Sequence, residues 1–182
     1  MRTSNRTRIL DAAVRVINRD GVRAVTFESV AAEANLTRGG LLYHFPSREA
    51  LLHGIDVHLV QAWEASMEAI VGKPTAETSE SERHEAFVRV SAHSATRAEL
   101  MFMLESVAPE ASQAPWSEAM LRWAPQAPIA RASAPADPAE LDRFVARLAA
   151  DGLWIYEAMY AGKLDEATRS QVVERITGLL KA

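Results

Sequence analysis

The chain of 182 residues is long enough for one good core, or for two small units that share one. It holds 48% apolar and 24% charged residues and no cysteine, which excludes disulfides, Cys-ligated zinc and thiol catalysis. Because no apolar run approaches the roughly 18 residues of a membrane span, and MRTSNRTRIL does not resemble a targeting segment, we expect a cytoplasmic protein with no membrane partner.

The formal net charge of −4 is unevenly distributed along the chain. Residues 1–53 carry eight Arg and five Asp or Glu and sum to +3, whereas residues 54–182 sum to −7. A basic head on an acidic body is typical of a protein whose head meets a polyanion. On charge alone, a chance imbalance remains the alternative.

Almost every segment has helical periodicity and none has the alternation of a strand, so we predict an all-α fold of about nine helices. Helix 1 spans about residues 5–19 and ends at Gly21. Thr26 caps helix 2, FESVAAEA, and Thr37 caps helix 3, which runs to Phe45 and is ended by Pro46.

The rest of the chain predicts a longer helical body. Ser47 caps helix 4, and residues 72–82 form a loop before helices 5 and 6, at about 83–95 and 97–108. Six of the eight prolines lie between Pro109 and Pro138, around a short helix, WSEAMLRW, and we expect a mobile connection over 124–138. Helices 8 and 9 span about 138–161 and 165–181.

Helix 2, a three-residue turn and helix 3 have the lengths of a DNA-binding helix-turn-helix. Leu41 and Phe45, four residues apart, would hold helix 3 on the core. Arg38, in its first turn, can reach a guanine edge or a phosphate. The polar side chains that can donate to phosphates, and so fix the register on DNA, are those of Thr26, Thr37, Tyr43, His44 and Arg48.

Two adjacent glycines, Gly39 and Gly40, lie inside the predicted recognition helix, where each costs about 0.5–1 kcal/mol relative to alanine. A backbone without side chains at these positions can come close to the DNA groove. Taken alone, the pair is more often a turn or a frayed helix start, and helix-turn-helix shapes without DNA exist. The combination of features within 25 residues favours DNA binding.

The string RILDAAVRVINRDGVRAVTFESVAAEANLTRGGLLYHFPSREALL resembles the N-terminal domain of the TetR family of transcriptional regulators over about residues 8–55. The resemblance implies a helix-turn-helix domain at 1–50 and a ligand-binding and dimerisation domain at 51–182. It also implies a homodimer with recognition helices in successive major grooves. By position, the family reads bases at Arg38, Gly39, Gly40 and Tyr43, and holds phosphates at Thr26, Tyr43, His44 and Arg48. Leu42 stands where the family commonly has a phosphate-binding tyrosine.

Helix 8 carries apolar residues spaced 4-3-4-3-4, which indicates a coiled-coil-like seam. An intramolecular core stripe is the nearly equal alternative. Further apolar side chains lie off the seam, and a helix that is apolar on two faces needs two partners. We therefore predict a dimer interface formed with helix 9, comprising Leu141, Val145, Leu148, Gly152, Ile155, Met159, Val172, Ile176 and Leu179.

The middle of the chain is rich in large, adaptable side chains that suit an apolar ligand pocket. Plain core packing explains such side chains more often. The predicted lining residues are Trp63, Met67, Met101, Phe102, Glu105, Trp116, Met120, Trp123 and Tyr156. We expect a small-molecule effector of unknown identity and no cofactor.

No catalytic or metal-binding pattern such as H-E-x-x-H or G-x-S-x-G is present, so we expect no enzyme and no metal site. The sequence favours a homodimeric repressor that binds a near-palindromic operator in double-stranded DNA and is released by a small apolar or amphipathic ligand. One alternative is a DNA-binding protein of the same fold that a protein partner controls, or that acts constitutively. Another is a small helical enzyme or carrier with an incidental basic head.

Overall fold

The computed structural model describes residues 4–93, 96–105, 114–128, 137–159 and 164–181. Over these ranges the chain forms nine α-helices, two short 3-10 helices (Val22–Ala24 and Thr75–Glu77) and no strand, which confirms the all-α fold class. The α-helices are α1 (Asn5–Asp20), α2 (Phe27–Ala34), α3 (Arg38–His44), α4 (Arg48–Val71), α5 (Glu80–His93), α6 (Arg97–Glu105), α7 (Ala114–Trp123), α8 (Pro138–Met159) and α9 (Glu166–Leu179).

The predicted extension of helix 6 to residue 108 and of helix 8 to residue 161 lies outside the described residues. Most of the predicted mobile connection, residues 129–136, lies outside them as well. In the described ranges, no helix combines the length and hydrophobicity that a bilayer crossing requires.

The ends of the first three helices follow their capping residues. The N–H of Gly21, with φ of 85°, donates to Ile17 O at 2.9 Å and ends α1. Thr26 Oγ1 accepts the Ser29 N–H at the start of α2, and Thr37 Oγ1 accepts the Gly40 N–H at the start of α3. These hydrogen bonds satisfy backbone donors that a helix start leaves free, so each helix begins where the sequence predicts.

The chain divides into two compact units, Met1–Ala62 with Thr96–Pro115 and Trp63–Ala95 with Trp116–Ala182. The boundary predicted at residue 50 falls inside the first unit, which also includes α6. In this unit α1 packs on both α2 and α6. Asn18 Oδ1 accepts the Ala98 N–H at 2.8 Å, so α1 also caps the start of α6. The apolar stripe of α1 is fully buried and consists of Ile9, Leu10, Ala13, Val16 and Ile17.

In the second unit, α5, α8 and α9 pack on one another around Phe87, Ala150 and Val173. Glu157, buried near the end of α8, accepts hydrogen bonds from Arg169 Nη2 at 3.3 Å and from the Leu164 N–H at 3.3 Å. A buried carboxylate needs such partners, since an unpaired charge in the interior is costly. This network fixes the start of α9 against the end of α8.

Candidate nucleic-acid interface

Two buried side chains hold α3 on the first unit. Leu41 and Phe45 lie on its inner face and are almost fully buried. The Phe45 ring packs over Gly54 of α4, where a built Cβ atom would lie only 2.6 Å from Phe45 Cε1. The Arg6 guanidinium lies 5.1 Å from the centre of the same ring. Glycine at position 54 therefore makes room for the side chain that orients α3.

The outer face of α3 carries the residues predicted to read bases. Arg38 and Gly39 are exposed, and Tyr43 is 86% exposed, although an aromatic ring of this size is usually at least half buried. The rings of Tyr43 and His44 meet edge to face at 5.2 Å between their centres. All three residues are therefore exposed to solvent: Gly39 and Tyr43 on the side of α3 opposite Leu41 and Phe45, and Arg38 in its first turn.

The predicted phosphate donors lie around this surface, each with a second role. Thr37 Oγ1 accepts the Gly40 N–H and can still donate its own hydrogen, whereas the Thr26 hydroxyl donates to Ser29 Oγ at 3.1 Å. Arg48 Nε donates to Val25 O at 3.2 Å, which ties the start of α4 to the segment before α2. The Nη groups of an arginine held in this way can still reach a phosphate.

Two residues near this surface were not singled out from the sequence. Arg23, in the 3-10 helix before α2, is exposed and has no ion-pair partner in the part of the chain that the structure describes. Glu28 Oε1, in the first turn of α2, lies 3.2 Å from Arg38 Nε. Ten residues separate Glu28 from Arg38, so no helical spacing links them. An arginine three residues before the helix cap Thr26 is the one local signal that could have marked Arg23.

Other arginines of the basic head are engaged with an acidic residue. Glu33 accepts hydrogen bonds from Arg15 Nε at 2.8 Å and from Arg19 Nη1 at 2.9 Å. These hydrogen bonds, first that of Arg15, lower the pKa of the Glu33 carboxyl below its ordinary value. Arg15 and Arg19 therefore join α1 to α2, and the positive charge that remains for a polyanion is concentrated elsewhere on the first unit.

In the second unit, the seam predicted on α8 faces outward. We call it the α8 stripe: Leu141, Val145, Leu148, Gly152, Ile155 and Met159. Its five side chains are between 41% and 59% exposed, while Ala146, Ala150 and Leu153 on the opposite face are buried. Among the described residues, the α8 stripe is therefore not buried in the core of its own unit.

The residues of α9 assigned to the same interface are less exposed than those of the α8 stripe. Val172 and Leu179 are half-buried, but Ile176 is only 6% exposed. Ile176 lies in the core of its own unit because α9 packs its apolar face on α5 and α8. Ile176 was expected at the dimer interface, and the structure instead assigns it to the core of its own unit.

Part of the predicted ligand pocket forms an aromatic cluster in the second unit. The ring of Trp63 lies 5.9 Å from that of Trp116 and 6.1 Å from that of Phe87, centre to centre. Glu64 Oε1 accepts hydrogen bonds from Trp123 Nε1 at 3.1 Å and from Arg122 Nε at 2.9 Å. Trp116 Nε1 is buried without a hydrogen-bond partner among the described residues.

The other predicted lining residues divide into three groups. Met67 is fully buried in the second unit and Met120 is half-buried there. Tyr156, on α8, is 39% exposed, and Met101 belongs to α6 of the first unit. The side chains of Phe102 and Glu105 lie outside the described residues. The structure thus brings Trp63 and Trp116 together, with Trp123 linked to them through neighbouring Glu64.

Comparison with known proteins identifies two family models in the chain. The model described as bacterial regulatory proteins, tetR family, matches residues 9–55, and the model described as Tetracyclin repressor-like, C-terminal domain, matches residues 81–181. No curated protein matches the sequence.

Solved structures with the same fold cover almost the whole chain. A candidate transcriptional regulator from Saccharomonospora viridis in complex with choline is 20% identical, with a TM-score of 0.66 over 97% of this chain and 95% of its own. The multidrug binding protein EbrR complexed with malachite green is 18% identical, with a TM-score of 0.60 over 96% and 98% of the two chains. A TetR-family member from Streptomyces coelicolor A3 is 19% identical, with a TM-score of 0.56 over 96% and 98%. At these sequence identities, the structural similarity shows that this chain shares their fold.

Three explanations for the glycine pair can be compared at Gly39: a backbone or packing constraint that requires glycine, a loose helix start, and a close approach of DNA. Its φ is not positive, and a Cβ built there meets nothing within 4 Å, so neither a left-handed backbone nor tight internal packing requires glycine. At Gly40, by contrast, a Cβ would lie 3.3 Å from Thr37 Oγ1, the atom that caps α3. A loose helix start and a close approach of DNA remain as reasons for Gly39.

We predict that Gly39→Ala keeps or raises the melting temperature, because alanine favours a helix by about 0.5–1 kcal/mol over glycine. Gly39→Val should also remain folded, since the position is open. The DNA probe is a duplex that the wild-type protein selects from a random-sequence library, called here the selected duplex. If the backbone at Gly39 approaches DNA, both variants lose affinity for the selected duplex, and Gly39→Val loses more than Gly39→Ala. Titration with this duplex, alongside thermal melting, measures both effects.

Gly178 of α9 supplies the matched control, because a Cβ there also meets nothing within 4 Å. Gly178→Val should leave DNA affinity unchanged. An unchanged DNA affinity in Gly39→Val would end the close-approach explanation.

Proposed function

This chain belongs to the TetR family of bacterial transcriptional regulators, and from that premise we propose that it is a one-component repressor. It binds a near-palindromic DNA operator as a homodimer and is released when a small molecule binds its helical body. The observation that carries the proposal is the exposure of α3: Arg38, in its first turn, and the outward Gly39 and Tyr43 are open to solvent, while Leu41 and Phe45 are buried.

The outer face of α3 suits a major groove, which admits one α-helix. Arg38 lies at the N-terminal end of α3, the end from which recognition helices contact base edges. Thr37, at the cap of α3, and Arg48, at the start of α4, lie where they can hold phosphates. In this arrangement Arg38 reads sequence, and Arg48 and His44 fix the position of the helix on the backbone.

We predict that Arg38→Ala weakens binding to the selected duplex more than to a shuffled duplex of the same composition, by about 1–3 kcal/mol of lost discrimination. Arg48→Ala and His44→Ala should weaken binding to both duplexes about equally, because phosphate contacts carry little sequence information. Titrations at several salt concentrations measure these effects, and raising the salt should weaken all binding steeply. Equal losses on both duplexes for Arg38→Ala would reassign Arg38 to the DNA backbone.

The homodimer is supported by the α8 stripe. Its 4-3-4-3-4 spacing keeps apolar residues on one side of a 22-residue helix, which is the pattern of a seam between two helices. Exposed apolar patches of this extent on one helix face mark interaction sites. We assign the α8 stripe to the contact with a second copy of the chain. Val172 and Leu179 of α9, the next helix in the chain, are half-buried and are assigned to the same contact.

We predict that Leu148→Glu or Ile155→Glu converts the dimer to a folded monomer, because a charge buried without a partner in an apolar seam is costly. Leu121→Glu is the matched control, since Leu121 on α7 is 68% exposed and lies outside the α8 stripe. Sedimentation velocity measures the oligomeric state. Dimers of undiminished stability from both Leu148→Glu and Ile155→Glu would remove this interface assignment.

A ligand site at the aromatic cluster is supported by the faces of Trp63 and Trp116 and by the unpartnered Nε1 atom of Trp116. Two proteins of the same fold hold choline and malachite green, both of which are cations. Tryptophan faces attract cations, whereas Glu64 beside the cluster is already paired with Arg122. We therefore propose a cationic amphipathic effector. It favours a dimer in which the two α3 helices are wrongly spaced for the operator.

We predict that choline or malachite green, used as probes, binds the protein and lowers its affinity for the selected duplex. Trp116→Ala should weaken probe binding by about tenfold, corresponding to roughly 1–2 kcal/mol of cation–π and packing contact. Trp154→Ala, on α8, is the matched control and should leave probe binding unchanged. Failure of both probes to bind would contradict a cationic effector and favour control by a protein partner or constitutive DNA binding.

A further inference from the structure

A carboxylate stands on the surface of the first unit that is proposed to meet DNA. Glu28 Oε1 lies 3.2 Å from Arg38 Nε, so the pair joins the first turn of α2 to the first turn of α3. The two side chains are 66% and 65% exposed. An ion pair between side chains this exposed contributes little to folding stability. Folding stability therefore does not explain why Glu28 lies beside Arg38 on this surface.

The contact engages one particular nitrogen of Arg38. An arginine side chain has five N–H donors, and the nitrogen that lies 3.2 Å from Glu28 Oε1 is Nε, which carries one of them. The four N–H groups of the two Nη atoms remain available. A bidentate contact with guanine O6 and N7 needs two such donors. Glu28 can therefore hold the guanidinium in one orientation while Arg38 reads a guanine.

The same carboxylate makes other uses of Arg38 unfavourable. A flexible arginine on a DNA-binding surface can turn to any nearby phosphate, which adds affinity without sequence information. For Arg38 this turn would break the contact with Glu28 and leave an unpaired carboxylate beside the phosphates, where like charges repel. The penalty applies to every DNA sequence that offers no guanine at the right place.

We propose that Glu28 is a positioning residue that sets the DNA sequence specificity of this protein by holding Arg38 toward a guanine edge. The proposal rests on the proposed DNA-binding function and deepens it. Glu28 increases the ratio between specific and non-specific affinity, and it does so by reducing the affinity for DNA that lacks the guanine.

The test compares Glu28→Gln with Glu49→Gln. Both residues are the second residue of a helix in the first unit, and each substitution removes one negative charge. Glu49 differs because its carboxylate accepts hydrogen bonds from its own backbone N–H and from Ser47, which lower its pKa, and no contact joins it to Arg38 in the described structure. Glu49→Gln therefore controls for net charge.

The selected and shuffled duplexes are titrated with each variant, and each variant also selects from the random library. Glu28→Gln should bind the shuffled duplex more tightly and lower the specificity ratio by about tenfold, within the range of one bidentate base contact. Its selected sequences should lose preference at a guanine position, the same position that Arg38→Ala loses. Glu49→Gln should leave the selected sequence unchanged, and the melting temperature of Glu28→Gln should stay near that of the wild type.

The double variant Glu28→Gln with Arg38→Ala separates positioning from direct reading. If Glu28 acts through Arg38, the double variant has the same specificity ratio as Arg38→Ala alone. An additional loss at a cytosine position would make Glu28 a direct reader of that base and overturn the proposal. Equal effects of Glu28→Gln and Glu49→Gln would overturn it as well. Selection of no sequence by the wild-type protein would instead contradict the proposed function.

Discussion

The burial of Leu41 and Phe45 determines which face of α3 the protein presents to its surroundings. Phe45 can sit against α4 because residue 54 is glycine, and any side chain there would collide with the ring. Once both apolar residues point inward, helical geometry places Gly39 and Tyr43 outward, and Arg38 is exposed in the first turn of α3 beside Glu28. Every functional assignment on this surface depends on that packing, because a rotated α3 would bury the backbone at Gly39 and expose the core.

Charge on the first unit is arranged around the same packing. Arg15 and Arg19 neutralise Glu33 and hold α1 on α2, so their positive charge serves the fold. Arg38 and Glu28 form a second contact, between α2 and α3, in which both side chains remain in solvent. Arg23 has no acidic partner in the ranges that the structure describes. The surface therefore carries both signs of charge rather than being uniformly basic.

Local signals in the sequence predicted the helices of the first unit and the apolar spacing of the α8 stripe. Thr26, Thr37 and Gly21 fix helix ends by hydrogen bonds within a few residues, and the 4-3-4-3-4 spacing of the α8 stripe is a property of one helix. The place of Ile176 could not be predicted in this way. Helix α9 is apolar over a wide arc, and only packing on α5 and α8 decides which side chains become core.

Contacts between residues that are distant in the sequence could not be predicted from local patterns either. Glu28 meets Arg38 only because the turn after α2 folds α3 back beside it. Trp63 and Trp116 are far apart in the chain, and no local pattern pairs them. The family resemblance supplied what periodicity could not, namely the roles of Arg38, Gly39, Gly40 and Tyr43 by position. These roles stay predictions, which the geometry of α3 supports.

The most direct test of the central claim, that the outer face of α3 meets DNA, is an amide NMR spectrum recorded with and without the selected duplex. Glycine amides resonate in a region of their own, and the eight glycines include Gly39 and Gly40 in α3, Gly72 after α4, Gly152 on α8 and Gly178 on α9. The account predicts that the signals of Gly39 and Gly40 shift strongly on DNA binding while those of Gly72, Gly152 and Gly178 move little. Saturated DNA binding with unmoved Gly39 and Gly40 signals would contradict it.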